Sequence, residues 1–316
     1  MQNFSMIRAT ASTHGALFTL KASINGPAVY LDNWALIELA KKDPARRRRF
    51  ISAVNAGAEV VFSVTNAAEL SGPKGASAEA VKSFLNEIGP HWYPAKLNLT
   101  EVVELEIKRK DPSDVCVDEH FFKSYVADRI RSLSGKPVSL SDDFFSLAPI
   151  LDRLGPQRKS ISEGSKEFDQ MLKNKMSVAR DMCKRDPALL DKKFPWVPFD
   201  STRPACFVYF NLLRIMVVEA NSLTRNDALD FCHAVVGCAY SNFTTLDTTW
   251  KRRIGMLPKP NWLACVYSRE ELDKMVGDIQ AAVAKPGQRK FLILNESIRK
   301  KLTGTAAPCR MLETAP

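Results

Sequence analysis

Short apolar runs, each followed at once by a stretch of helical period, mark both ends of the chain, and a long block of helix-period sequence lies between them. After Pro27, Ala28–Leu31 suits a buried parallel strand, with Asp32 at its carboxyl end. Trp34, Ile37 and Ala40 then recur at helical spacing and predict a helix over Asn33–Lys41. Asp43-Pro44 starts a second helix that stops at Gly57. Glu59–Ser63 is the next strand, and Ser63–Leu70 leads into a helix with Glu69 near its first turns. Two strand–helix pairs in succession predict a parallel α/β core with right-handed crossovers.

From Gly72 to about Leu223 the alternation lapses. Helical patterns succeed one another at Ser77–Ile88, Thr100–Lys110, Asp118–Leu133, Ser141–Leu154 and Gly164–Lys184. Arg203–Ala220 is apolar nearly all round, which predicts a buried helix. In the next helix Asp227, Asp230 and His233 fall at three-residue intervals along one side. A small-residue face (AVVGCA), a turn and a short strand ending at Asp247 follow. Ala264–Tyr267 reads as the last core strand and Arg269–Ala284 as a helix capped by Ser268. The expected layout is an N-terminal arm (1–26) with one short strand at Ala16–Leu20, a core built from 27–72 and 205–284, an all-helical insertion (73–204) and a basic tail (285–316).

At 316 residues the chain can bury one large core or two ordinary ones. No apolar run reaches the length of a membrane span, and MQNFSMIRATAS lacks a signal-peptide core, so no membrane and a cytoplasmic location are expected. The seven cysteines are odd in number and lack a CxxC pair, which reads as reduced thiols rather than a disulfide framework or a zinc site. The formal charge of +10 suits a polyanionic partner, nucleic acid above all, although an acidic protein or a merely solvated basic surface would also satisfy it. Arg46–Arg49 reads as a solvated helix face.

Acids gathered in one helix–strand unit are costly unless they stay in water or meet a cation. Four blocks bear on this: Tyr30-Leu31-Asp32-Asn33, Ser63-x-x-Asn66-x-x-Glu69-Leu70, Asp227-x-x-Asp230-x-x-His233-Ala234 and Thr245-x-Asp247-x-x-Trp250. In order, strand context and local spacing they resemble the PIN-domain nucleases. The resemblance covers roughly 27–72 and 205–268. It implies a Rossmann-like, three-layer PIN-like core around a central parallel sheet, interrupted here by the helical insertion.

The resemblance further implies a divalent-metal-dependent ribonuclease, with single-stranded RNA favoured over DNA. Oxygen-only ligands without Cys or several His suit Mg²⁺ or Mn²⁺. The implied metal ligands are Asp32, Asp230 and Asp247. Glu69 and Asp227 would be further catalytic carboxylates, with Asp227 open as an alternative to Asp230. Asn33, Asn66, His233 and Thr245 are candidate helpers, and Arg225, Lys251, Arg252 and Arg253 candidate substrate contacts because they flank the acids in sequence. Trp34 stands where the family often has a polar helper, and His233 reads equally as a buried core residue. Trp34 and Trp250 could stack on bases, though both positions also suit packing.

Rival readings remain. A PIN-like fold could serve as a non-catalytic module, with the insertion docking a protein or RNA. The motifs also resemble toxin nucleases, which are much smaller, and a defence-system nuclease is equally compatible. A haloacid-dehalogenase-type phosphotransferase needs an Asp where this chain has Trp34.

Overall fold

The computed structural model describes residues 7–11, 18–22, 26–72, 74–108, 115–132, 145–156, 158–219, 227–258, 263–284 and 304–305. The chain opens with β1 (Ile7–Ala11) and β2 (Phe18–Ala22), paired antiparallel, so the expected arm contains a hairpin where a single strand was anticipated. The first half of the core follows as β3 (Ala28–Tyr30), α1 (Asn33–Lys41), α2 (Pro44–Asn55), β4 (Glu59–Ser63), α3 (Val64–Leu70), α4 (Ala76–Ile88) and β5 (Trp92–Ala95). Next come α5 (Leu99–Lys108), α6 (Glu119–Ser132), α7 (Ala148–Leu154), α8 (Arg158–Arg185), α9 (Ala188–Lys193) and α10 (Pro204–Val218). The last part holds α11 (Asp227–Tyr240), β6 (Phe243–Thr245), α12 (Thr248–Gly255), β7 (Cys265–Tyr267) and α13 (Leu272–Ala284), the last preceded by one 3₁₀ turn at Arg269–Glu271. A final two-residue strand, β8 (Gly304–Thr305), pairs with β2.

The core sheet has five strands in the order β5-β4-β3-β6-β7, all parallel. β3, β4, β5 and β6 are buried along their whole length, as parallel strands covered on both faces must be. Helices α1, α2, α4 and α13 pack on one another as one group, and α5, α8, α10, α11 and α12 as a second. β6 is touched by α11 from one group and α13 from the other, which makes the sheet the middle layer. The expectation of an all-helical segment over 73–204 is corrected at one place: β5 lies inside it and adds a fifth strand beside β4.

Local chemistry sets the element starts. Asp43 accepts from the amides of Ala45 and Arg46 and opens α2 with Pro44 in its first turn. Ser63 and Asn66 form a capping box at the head of α3. Gly237 explains the small-residue face of α11. A Cβ there would meet Thr244 Cγ2 at 2.8 Å and Tyr30 Cδ1 at 2.9 Å, so only glycine lets the helix lie this close to β3 and β6. No helix among the described residues is long and apolar enough to cross a membrane.

Candidate functional site

The chain runs from β3 to β4 and β5 on one side, then returns to β6 and β7 on the other, so strand order reverses between β3 and β6. Open parallel sheets place ligands outside the carboxyl ends of the strands at such a point. Asp32 leaves β3 there as the N-cap of α1, and Asp247 leaves β6 as the N-cap of α12, accepting from the Trp250 amide at 2.7 Å. The two turns are tied together: the Asp32 amide donates to Thr245 Oγ1 at 2.8 Å. Asn66 is buried and donates to Leu31 O at 3.3 Å and to Asn33 Oδ1 at 3.4 Å, which couples the β4 turn to the β3 turn.

Close packing of α11 on the sheet brings Asp230 and His233 to the same end. His233 is fully buried, and its Nδ1 is hydrogen-bonded to the Tyr30 hydroxyl. Its Nε2 has no hydrogen-bond partner among the described residues and lies 3.8 Å from Glu69 Oε2. Glu69 sits at the end of α3, not in its first turns, because Ser63 caps a helix of only 7 residues.

The charges act as one group. Burial pushes the Asp230 carboxyl up to about 7, and the Asp32 charge adds to this. His233 opposes the rise, while Asp247 and Asp227 contribute further to it. Burial also raises Asp32, with Glu69 and Asp247 adding, against the lowering effects of His233 and the Asn33 amide. For His233, burial disfavours the charged ring, but the carboxylates of Glu69, Asp32 and Asp230 outweigh it and raise the pKa. Tyr30 is raised well above its ordinary value by burial and by Asp32, so it keeps its proton. Among the described residues, Asp32, Asp230 and Asp247 have no Lys or Arg within ion-pair distance.

Asp227 belongs to a different neighbourhood. It is buried and pairs with Arg253 Nη1 at 3.4 Å. Arg253 in turn holds Glu219 at 2.9 Å and lies 4.4 Å from the Trp250 ring centroid. The expectation of Arg253 as a substrate contact is therefore corrected: it is buried within the fold. Lys251 pairs with Glu271, and Arg252 with Glu219 at 2.8 Å. Arg225 lies outside the described residues. Trp250 is buried against Phe231, whereas Trp34 is half-buried under the Arg269 guanidinium.

Among the described residues, no group of three or more His, Cys, Asp or Glu side chains is placed so that it could hold a metal ion. Tyr30 was not singled out from sequence as part of this group. The signal was its position at the end of β3, two residues before Asp32, whose backbone is still extended, so that alternate residues share a face. Compared with known proteins, the chain matches no family model, no curated protein and no solved structure.

Proposed function

We propose that the protein is a divalent-metal-dependent nuclease of PIN-like build that cuts single-stranded nucleic acid, RNA in preference to DNA. The observation that carries this reading is the convergence of Asp32, Asp230 and Asp247, in which burial and neighbouring acids raise the Asp32 and Asp230 carboxyls. Three separate elements contribute these carboxylates at the switch point of a parallel sheet, without a basic partner among the described residues. Unneutralised carboxylates of this kind suit a hard cation such as Mg²⁺ or Mn²⁺. Asp32, Asp230 and Asp247 would hold the ion, in part through its water shell, since Mg²⁺ commonly keeps several waters and no closed cage of side chains is present. A bound ion of this type lowers the pKa of water and stabilises a leaving oxygen.

The protein's own groups supply orientation and proton control. Thr245 and the Asn33 amide fix the Asp32 turn. Tyr30 holds the His233 ring from Nδ1, which leaves Nε2 to carry a proton toward Glu69. The RNA preference and the PIN-like assignment rest on the motif resemblance, with a toxin or defence setting as open physiological contexts.

A second reading, a PIN-like binding module without catalysis, draws support from the lack of a preformed cage. The two separate in one experiment on labelled single-stranded RNA and DNA with Mg²⁺ or Mn²⁺. The nuclease reading expects metal-dependent cleavage that falls at least about 100-fold in Asp32→Asn with binding retained. Binding without any metal-dependent cleavage, or equal cleavage by the variant, sinks it in favour of the module.

A further inference from the structure

A cavity of about 790 Å³ lies beside the acid group, at the carboxyl ends of β4 and β5. Thr65 lines it from α3, the helix of Glu69, and Leu229 and Cys232 line it from α11, where they adjoin Asp230 and His233 in sequence. The remaining walls are the β5–α5 turn, the first turns of α5 and α6, and Phe168 of α8. The cavity and the acid group thus share two helices. Its volume falls in the range of small-molecule sites, and its concavity suits a compact group rather than a flat protein face.

The lining decides which compact group. Leu105, Phe168 and Leu229 offer an apolar surface to one face of a ring. Three carboxylates, Glu101, Asp118 and Glu119, stand at the polar side with two lysines, Lys96 and Lys123, and one histidine, His120. Both lysines are already matched: Lys96 pairs with Glu101, and Lys123 with Glu119 at 3.0 Å. Asp118 Oδ1 accepts from the Phe121 amide at 2.8 Å, which leaves its second oxygen with acceptor capacity. With both lysines of the lining held by Glu101 and Glu119, neither is free to meet a phosphate, and Asp118 is the carboxylate left facing the cavity without a lysine partner among the described residues. The cavity is suited to a flat, uncharged ring whose edge donates hydrogen bonds.

We propose that the cavity reads one unstacked base of the strand cut at the acid group, and that it selects bases carrying an exocyclic amino group, guanine foremost. Guanine presents two adjacent N–H donors on its Watson–Crick edge, which a carboxylate can accept together, whereas uracil presents only one. Recognition of splayed-out bases by edge hydrogen bonds and ring contact is the usual route to sequence preference on single strands. This inference rests on the nuclease reading but is tested apart from it.

The test measures binding of the four nucleoside monophosphates to the full chain by calorimetry with a chelator present, so cleavage plays no part. The expected result is guanosine monophosphate binding at least about tenfold tighter than uridine monophosphate. Thr100→Trp, an exposed position on the cavity wall, is expected to abolish binding of all four. Asp118→Asn, which keeps an Oδ1 acceptor for the Phe121 amide but loses the second acceptor oxygen, is expected to bring the guanosine-to-uridine ratio near one, with thermal melting as a folding control. Equal binding of the four, or binding that Thr100→Trp leaves intact, overturns the inference even if the protein cleaves RNA. Blocked binding in Thr100→Trp alongside a wild type that shows no metal-dependent cleavage leaves the base site standing and removes the nuclease.

Discussion

Asp227 and Asp230 lie one turn apart on the same helix and differ in almost everything that matters. Asp227 faces Arg253, which it shares with Glu219, and Glu219 is met by Arg252 as well. Asp230 faces Asp32 and Asp247, with only His233 to offset them, and its carboxyl rises to about 7. A third buried acid, Glu106, resembles Asp227 in being fully partnered. It accepts from the amides of Ala205 at 3.0 Å and Cys206 at 2.7 Å and from the Tyr240 hydroxyl at 2.5 Å, which joins α5 to the head of α10 and to α11. Burial therefore does not separate a structural carboxylate from a candidate site carboxylate in this protein. The presence or absence of a resident partner does.

The strongest way to break this comparison is to neutralise each aspartate in turn. Asp230→Asn is expected to lower metal-dependent cleavage roughly 100- to 1,000-fold, the scale of losing one electrostatic contributor to a transition state. Its thermal stability without metal should hold or rise, because a repelled charge is removed. Asp227→Asn is expected to keep cleavage within about tenfold of wild type while lowering the melting temperature. Equal losses of activity in the two variants, read in a gel assay, would erase the distinction.

The partnered side of the comparison is tested by Arg253→Met. Removing the buried guanidinium takes that cation from Asp227 while Glu219 keeps Arg252, and breaking a buried pair in this way costs about 3–5 kcal/mol. Chemical denaturation should show that loss, whereas an effect below about 1 kcal/mol would mean that Asp227 finds water on its own.

The smallest effect sharpens the unpartnered side through pH. A group whose folded pKa is raised contributes stability that is fully present below its unfolded pKa and is lost as pH rises through the folded value. For Asp230 that window runs from about 4 to about 7, and Asp32 and His233, both raised, act with the same sign. Chelated protein should therefore be less stable at pH 8 than at pH 5, by on the order of 2 kcal/mol from this group after screening by solvent. Mg²⁺ or the Asp230→Asn change should remove most of the difference, as followed by melting temperature.

Much of this arrangement was legible in the sequence where a local rule and the tertiary structure agree. The strands at Ala28–Tyr30 and Glu59–Ser63 and the turns at Asp32 and Asp247 follow from short apolar runs that end in a capping side chain, Asp32, Ser63 or Asp247. β5 escaped notice because Pro94 sits in its middle, and proline argues against a central strand. It is tolerated because β5 is the edge of the sheet and Pro94 O bonds outward to the Asp118 amide, so the missing N–H falls on the side away from β4. Arg253 was misjudged because nearness in sequence to Asp247 says nothing of direction. It lies three residues after Trp250 and so shares the buried face of α12. The cavity had no sequence signature at all, since its walls come from five helices and one turn far apart in the chain.

The hydrogen bond from the Asp32 amide to Thr245 closes across 213 residues of chain. At a synthesis rate of 5–20 residues per second, roughly 10 to 40 s separate the emergence of its two ends from the ribosome. Throughout that interval β3 and β4 have no β6 to complete them, and Asp32 has neither Asp230 nor Asp247 opposite it. A protein that cuts RNA would thus be born harmless to the message and the ribosome that make it, armed only when its second half has been released and folded against the first.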